Sequence, residues 1–177
     1  MASRPGLRGR YRILIGLPGS TWSDLERDLE TVAALDPDMI GVGPFIAHAD
    51  TPLAAAPPGE VPSDVLLTHR VLATLRLACP RTNIAATTAL GVLGGDGART
   101  LALLRGANVL MPNFTPDDPR QKYQIYPGKE DAEPFRALDL LEDRLARAGV
   151  VVARGPGTSP RFLSRGAAEP CSPTSVD

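Results

Sequence analysis

Four segments of this 177-residue chain repeat one design, a short apolar strand that runs into a loop rich in Pro, Thr, Asn or Gly. They are Ile13-Leu14-Ile15-Gly16-Leu17-Pro18-Gly19, Met39-Ile40-Gly41-Val42-Gly43-Pro44-Phe45-Ile46, Ile84-Ala85-Ala86-Thr87-Thr88 and Asn108-Val109-Leu110-Met111-Pro112-Asn113. Consecutive parallel strands need a long crossover, usually a helix, so strands separated by amphipathic stretches predict an α/β fold with a parallel sheet. Polar groups gathered at strand C-termini are how a (β/α) barrel builds its active site. A closed barrel of that kind has eight units, so about four parallel strands make a partial, half TIM-type barrel.

The stretches between the strands read as helices. Trp22, Leu25, Leu29, Val32 and Ala33 recur at helical spacing, Thr21 and Asp24 form a capping box before them, and Asp36-Pro37 stops the helix. Asp64 caps a second helix with Val65, Leu67, Val71, Leu72, Leu75 and Ala78 on its apolar side, ended by Pro80. Residues 97–105 predict a third, with Gly106 as its C-terminal cap. A last helix opens at Glu133-Pro134, sets Phe135, Leu138, Leu141, Leu145 and Ala148 on one face, and closes at Gly149. Tyr11–Leu17 reads as a continuous apolar strand of the kind found when both sheet faces are covered. Residues 43–63, with Pro at 44, 52, 57, 58 and 62, form a loop long enough to be functional or disordered. Residues 1–10 thus read as a flexible lead-in and 11–153 as the barrel portion, Val150–Ala153 being a short strand or extended tail. The Gly, Pro, Ser and Ala of 154–177 predict a disordered tail.

A formal charge of −1 argues against general nucleic-acid binding, which requires a basic surface. Lys122 and Lys129 are the two lysines and arginine supplies the rest of the 19 basic residues; arginine suits anionic ligands, and codon bias explains the same excess. No apolar run is long enough to span a bilayer and Met1–Arg12 leads into no signal-peptide core, so the expectation is a cytoplasmic chain with no membrane partner. Cys79 and Cys171, the two cysteines, are too few and too far apart for a cluster motif or a disulfide framework.

Each candidate site admits a functional and a structural reading. Gly16–Thr21 is a strand-to-helix turn that holds an anion or simply turns, and it lacks the P-loop and dinucleotide patterns. His48 and Asp50 suit acid–base work or a loop-stabilising hydrogen bond, while one His and one Asp make no metal site. Thr87 and Thr88 present hydroxyls at a strand end or cap the next helix. Met111 lines a pocket for a flat group or belongs to the core. Tyr123 and Tyr126 face the same mouth or pack within their loop.

Taken together the segments are far more specific. Gly-Leu-Pro-Gly-Ser-Thr at 16–21, Asp-Met-Ile-Gly-Val-Gly-Pro-Phe-Ile-Ala-His-Ala-Asp-Thr-Pro-Leu at 38–53, Asn-Ile-Ala-Ala-Thr-Thr-Ala-Leu-Gly at 83–91, Gly-Ala-Asn-Val-Leu-Met-Pro-Asn-Phe-Thr-Pro at 106–116 and Tyr-Gln-Ile-Tyr-Pro-Gly-Lys at 123–129 occur in that order. From about Tyr11 to Lys129 the series resembles the C-terminal half of the radical S-adenosylmethionine maturase of [FeFe]-hydrogenase, a biotin synthase-like group close to methylornithine synthase. The resemblance implies a TIM-type barrel, a [4Fe–4S] cluster that reductively cleaves S-adenosyl-L-methionine, and work alongside other hydrogenase maturases. It places Phe45 and Ile46 near the adenosyl group, and Thr87, Thr88, Met111, Tyr123 and Tyr126 around the substrate cavity. The family holds its cluster with a Cys-x-x-x-Cys-x-x-Cys loop; this sequence shows none, and Cys79 and Cys171 do not substitute for it. The family also often carries Pro where this chain has Ala47 and Ala49. The chain by itself is therefore expected to be inactive, completed by an N-terminal radical-enzyme half or by self-association. A non-catalytic remnant, a small-ligand or partner-binding half-barrel, and a fragment of a methylornithine synthase-like enzyme are the alternatives.

Overall fold

A computed structural model describes residues 9–111 and 138–164. Its elements are β1 (Arg10–Ile15), α1 (Trp22–Leu35), β2 (Met39–Pro44), a 3-10 turn at Pro52–Ala55, α2 (Val65–Ala78), β3 (Asn83–Ala86), α3 (Thr88–Leu104), β4 (Val109–Leu110), α4 (Leu138–Arg147) and α5 (Pro160–Ser164). The four strands form one sheet in the order β1-β2-β3-β4, every pair parallel. The half-barrel grammar read from the sequence is the observed one.

Register decides what faces what. Tyr11, Ile13 and Ile15 stand opposite Ile40, Val42 and Pro44, and Ile40 and Val42 stand opposite Ile84 and Ala86. These positions share one face, where Ile13, Ile15, Ile40, Val42, Ile84 and Ala86 are buried with Val32 of α1, Val71, Leu72 and Leu75 of α2, and Ala98 and Ala102 of α3. Each large side chain so buried contributes roughly 1.5–3 kcal/mol. The other face carries Arg10, Arg12 and Leu14, which are exposed at the β1 edge, Leu14 by 57%, while Gly43 and Ala85 further along it are buried. Among the described residues the helices cover one face of β1, where Arg10 and Arg12 alternate with the buried positions.

The caps behave as the sequence predicts. The Thr21 hydroxyl accepts from the Asp24 N–H at 3.2 Å while the Asp24 carboxylate accepts from the Thr21 N–H at 3.0 Å, closing a capping box. The Thr21 N–H and hydroxyl, with Arg27 beside them, hold the Asp24 carboxyl below its ordinary range. A carboxyl whose pKa is lower in the folded chain adds stability above its unfolded pKa and loses it as pH falls through the folded value. Asp24→Asn is therefore expected to flatten the acid limb of the stability–pH curve, read from urea midpoints between pH 6 and pH 2. Thr21→Ala is expected to cost about 1 kcal/mol at neutral pH. Trp22, placed by periodicity on the buried stripe, is instead 51% exposed because it opens the first turn.

The third helix is longer than the sequence predicts. It begins at Thr88 and bends at Gly95, whose φ of 67° breaks the helical path. Gly94 is why the first part packs: a Cβ there would meet Ala98 at 2.6 Å and Val65 of α2 at 2.9 Å. His69, buried on α2, ties the same pair of helices; its Nε2 lies 2.9 Å from the Ala98 carbonyl and its Nδ1 3.0 Å from the Arg105 guanidinium. That pairing fits a neutral ring that donates from Nε2 and accepts at Nδ1.

At the N-terminal ends of the strands, Arg76 gathers the chain. Its guanidinium donates to the carbonyls of Gly106 at 2.8 Å, Pro80 at 2.9 Å and Thr82 at 2.9 Å, and to Asn108 Oδ1 at 3.0 Å. Residues 154–164, read from composition as the start of a tail, hold α5. Asn83 donates to the Gly157 carbonyl at 2.8 Å, the Arg161 N–H donates to Arg81 at 3.0 Å, and Arg161 pairs with Asp36. Residues 150–154 form no strand and Val151 is 90% exposed. No helix among the described residues is long and apolar enough to cross a membrane.

Candidate functional site at the C-terminal ends of the strands

Extending the register one residue past β3 and β4 produces a single row across the face away from the helices. Leu14 stands opposite Gly43, Gly43 opposite Thr87, and Thr87 opposite Met111. Leu14 and Met111 are exposed, at 57% and 38%. Met111 and Thr87 were expected at a site from the sequence; Leu14 was not, and the only signal for it was the Arg10, Arg12, Leu14 alternation.

Thr87 is held in place from two sides. Its hydroxyl donates to the Val42 carbonyl at 3.1 Å, and a Cβ at Gly43 would lie 2.3 Å from that oxygen. Gly43 is the space into which the Thr87 side chain fits. Thr87 is the N-cap of α3 by position, yet its side chain makes no capping bond. With its one donor used on Val42, the hydroxyl offers acceptor capacity to that face. Thr88 is the first residue of α3 and lies off this row.

The long loop after β2 folds back over the end of β1. The Phe45 N–H donates to the Ile15 carbonyl at 2.8 Å, the Ser63 hydroxyl donates to the Phe45 carbonyl at 2.6 Å, and the Glu60 N–H donates to the Ser20 carbonyl at 2.8 Å. Phe45 and Ile46 are half-buried at this closure. Gly16 permits it: its φ is +77°, and a Cβ there would sit 2.4 Å from the Ser63 backbone. His48 closes a turn within the loop. Its Nδ1 accepts from the Asp50 N–H at 3.1 Å, and Thr51 donates twice to its carbonyl, at 3.0 and 2.8 Å. The Asp50 carboxylate is 90% exposed, 3.8 Å from the ring. Tyr123 and Tyr126 lie outside the described residues, as does Cys171.

Below the row, a cleft of about 290 Å³ opens beside β1, lined by residues that include Leu14, Leu17, Ser20, Leu25, Asp28 and Val61. Among the described residues no group of three His, Cys, Asp or Glu side chains is placed to hold a metal. Cys79 is buried at the end of α2, its sulfur 3.9 Å from the Val32 carbonyl, and burial pushes its thiol pKa up.

A parallel sheet wound in chain order, with helices on one face, defines a partial barrel of the (β/α) type. No family model matches the chain. Over 116 residues it is 49% identical to the [FeFe] hydrogenase maturase subunit HydE of Thermotoga maritima, covering 66% of this chain and 32% of that protein. The structure of methylornithine synthase (PylB) superposes with a TM-score of 0.61 at 25% identity, over 82% of this chain and 40% of that one. The chain thus spans 32% of the length of its curated relative. It is homologous to part of that maturase, and the resemblance of its motifs to the biotin synthase-like radical S-adenosylmethionine group holds.

Proposed function

We propose that this chain forms the substrate-side wall of a radical S-adenosylmethionine chamber of the kind used in hydrogenase maturation. The observation that carries the reading is the row Leu14, Gly43, Thr87 and Met111 at the C-terminal end of the sheet, with Leu14 and Met111 exposed, in a chain 49% identical over 116 residues to part of a hydrogenase maturase. In this reading Phe45 and Ile46 border the adenosyl group. Thr87, Thr88, Met111, Tyr123 and Tyr126 line the substrate cavity, with the Thr87 hydroxyl accepting a hydrogen bond. The described residues do not fit a [4Fe–4S] cluster, since their one cysteine, Cys79, is buried with a raised thiol pKa. The cluster and most of the cosubstrate pocket then belong to a complementing half, joined in sequence or separate, which works with the other maturases.

The test joins this chain with the part of the Thermotoga maritima maturase that precedes the matched stretch. After anaerobic reconstitution with iron and sulfide, the pair is expected to release 5′-deoxyadenosine from S-adenosylmethionine under reduction, and neither part alone is. Thr87→Val is expected to lower turnover at least tenfold with iron content unchanged. A loaded pair that releases no 5′-deoxyadenosine overturns the reading. The structural likeness to methylornithine synthase supports a second substrate class, and activity on an amino acid instead of a maturation substrate would decide for it.

A further inference from the structure

We infer that the unit of the complementing half that pairs with β1, at the seam of the two halves, carries carboxylates toward the barrel interior and a cation toward the helix layer, because β1, an edge strand among the described residues, has opposite charge on its two sides. The inference rests on the proposed function. On the face away from the helices stand Arg10 and Arg12, both exposed, with the Arg12 stem over Gly41, whose Cβ would lie 3.4 Å from Arg12 Cγ. Among the described residues neither guanidinium has an ion pair. Toward the helix layer, the 290 Å³ cleft sets Asp28, half-buried and without an ion pair among the described residues, beside Leu17, Leu25 and Val61. The Ser20 hydroxyl there is buried with no hydrogen-bond partner. Asp24, also in the cleft, already pairs with Thr21 and Arg27.

An edge strand with unpaired backbone groups is a template for another strand. On β1 the charges specify which. A parallel strand added there brings its inward side chains beside Arg10 and Arg12, where carboxylates are favoured and cations are not. A helix of the same unit lies against the cleft. A Lys or Arg on it fits its aliphatic stem along Leu17 and Leu25 and its charged head to Asp28. A second copy of this chain fits poorly. Two-fold pairing of β1 with itself brings the two Arg12 side chains to one face within a residue or two of each other. The matched proteins are longer than this chain, which covers 32% and 40% of them, so a complementing β/α unit is the occupant with chain to supply it. The seam thus takes a unit with carboxylates facing into the barrel and a cation facing its helix layer.

The test measures binding of the full chain to the preceding part of the Thermotoga maritima maturase, by pull-down and size exclusion. A one-to-one complex is expected, weakening as salt rises because the seam is electrostatic. Arg12→Glu and Asp28→Lys are each expected to weaken it at least tenfold, and Asp28→Asn severalfold. Glu30→Lys, the same charge change on the solvent side of α1, is expected to leave it unchanged. Circular dichroism melts confirm that each variant folds, with Asp28→Asn as the milder change. Equal binding by both reversals, failure to bind at all, or homodimerisation through β1 overturns the seam. A complex with the expected charge dependence that releases no 5′-deoxyadenosine overturns the proposed function and leaves the seam standing.

Discussion

Gly16→Ala is expected to lower the unfolding free energy by about 2–5 kcal/mol, while Gly19→Ala, three residues on, costs about 1–2 kcal/mol. Both glycines have left-handed backbone, with φ of 77° and 78°. An L side chain in that region is strained by about 1–2 kcal/mol at either site. The difference is what the new methyl meets. At Gly19 nothing lies within 4 Å, whereas at Gly16 the Cα and N of Ser63 lie at 2.4 Å, and backbone cannot swing aside as a side-chain tip can. Ser63 in turn holds the Phe45 carbonyl at 2.6 Å, so the change reaches the proposed adenosyl-side wall. Urea melts of the two variants and wild type measure it. Equal midpoints for the two would show that the loop after β2 does not close over β1 in solution.

Arg76→Met is expected to cost about 3 kcal/mol or more, with Arg76→Lys recovering less than half. Methionine keeps the stem and deletes the donors. The Gly106, Pro80 and Thr82 carbonyls and Asn108 Oδ1 then lose a partner together. A part-buried acceptor left unpaired costs about 1–3 kcal/mol, and the Gly106 and Thr82 carbonyls are both part-buried, whereas water can replace the donor at Pro80 and Asn108. Lysine restores a charge but not the planar fork that reaches divergent acceptors. Asn108 also accepts from the Ile84 N–H at 2.7 Å and donates to Asn83 at 3.0 Å, so the damage is expected where β4 joins the sheet. Hydrogen exchange should show faster opening at Ile84 and Asn108 than at Ile13 and Ile40. Uniform loss of protection would mean that Arg76 acts on global stability alone.

How much of this was legible depends on the range of the interaction. The helix at 22–35, its capping box and the Asp64 cap were readable because their hydrogen bonds span three residues. The Gly-rich first part of α3 was not, since Gly91, Gly94 and Gly95 weaken helix propensity. Its helicity comes from packing that only a residue without Cβ permits, against Val65 of α2. Thr87 and Met111 were legible as strand-end residues. That Thr87 bonds to Val42 and fits over Gly43 was not, because the partners sit 45 and 44 positions away and meet only through the register of β2 with β3. His69 looked solitary in sequence and gained both partners from α3 and the turn after it.

The sequence by itself determined the alternation of strands and helices, their caps and the order of parallel units, because periodicity and short-range hydrogen bonds are written within a few residues. Only the tertiary structure decided which face of the sheet the helices cover, leaving Arg10, Arg12, Leu14 and Met111 open, and which side chains meet across the strand ends. The physical reason is that facing across a sheet depends on register, and a shift of one residue would exchange the helix-covered face for the other.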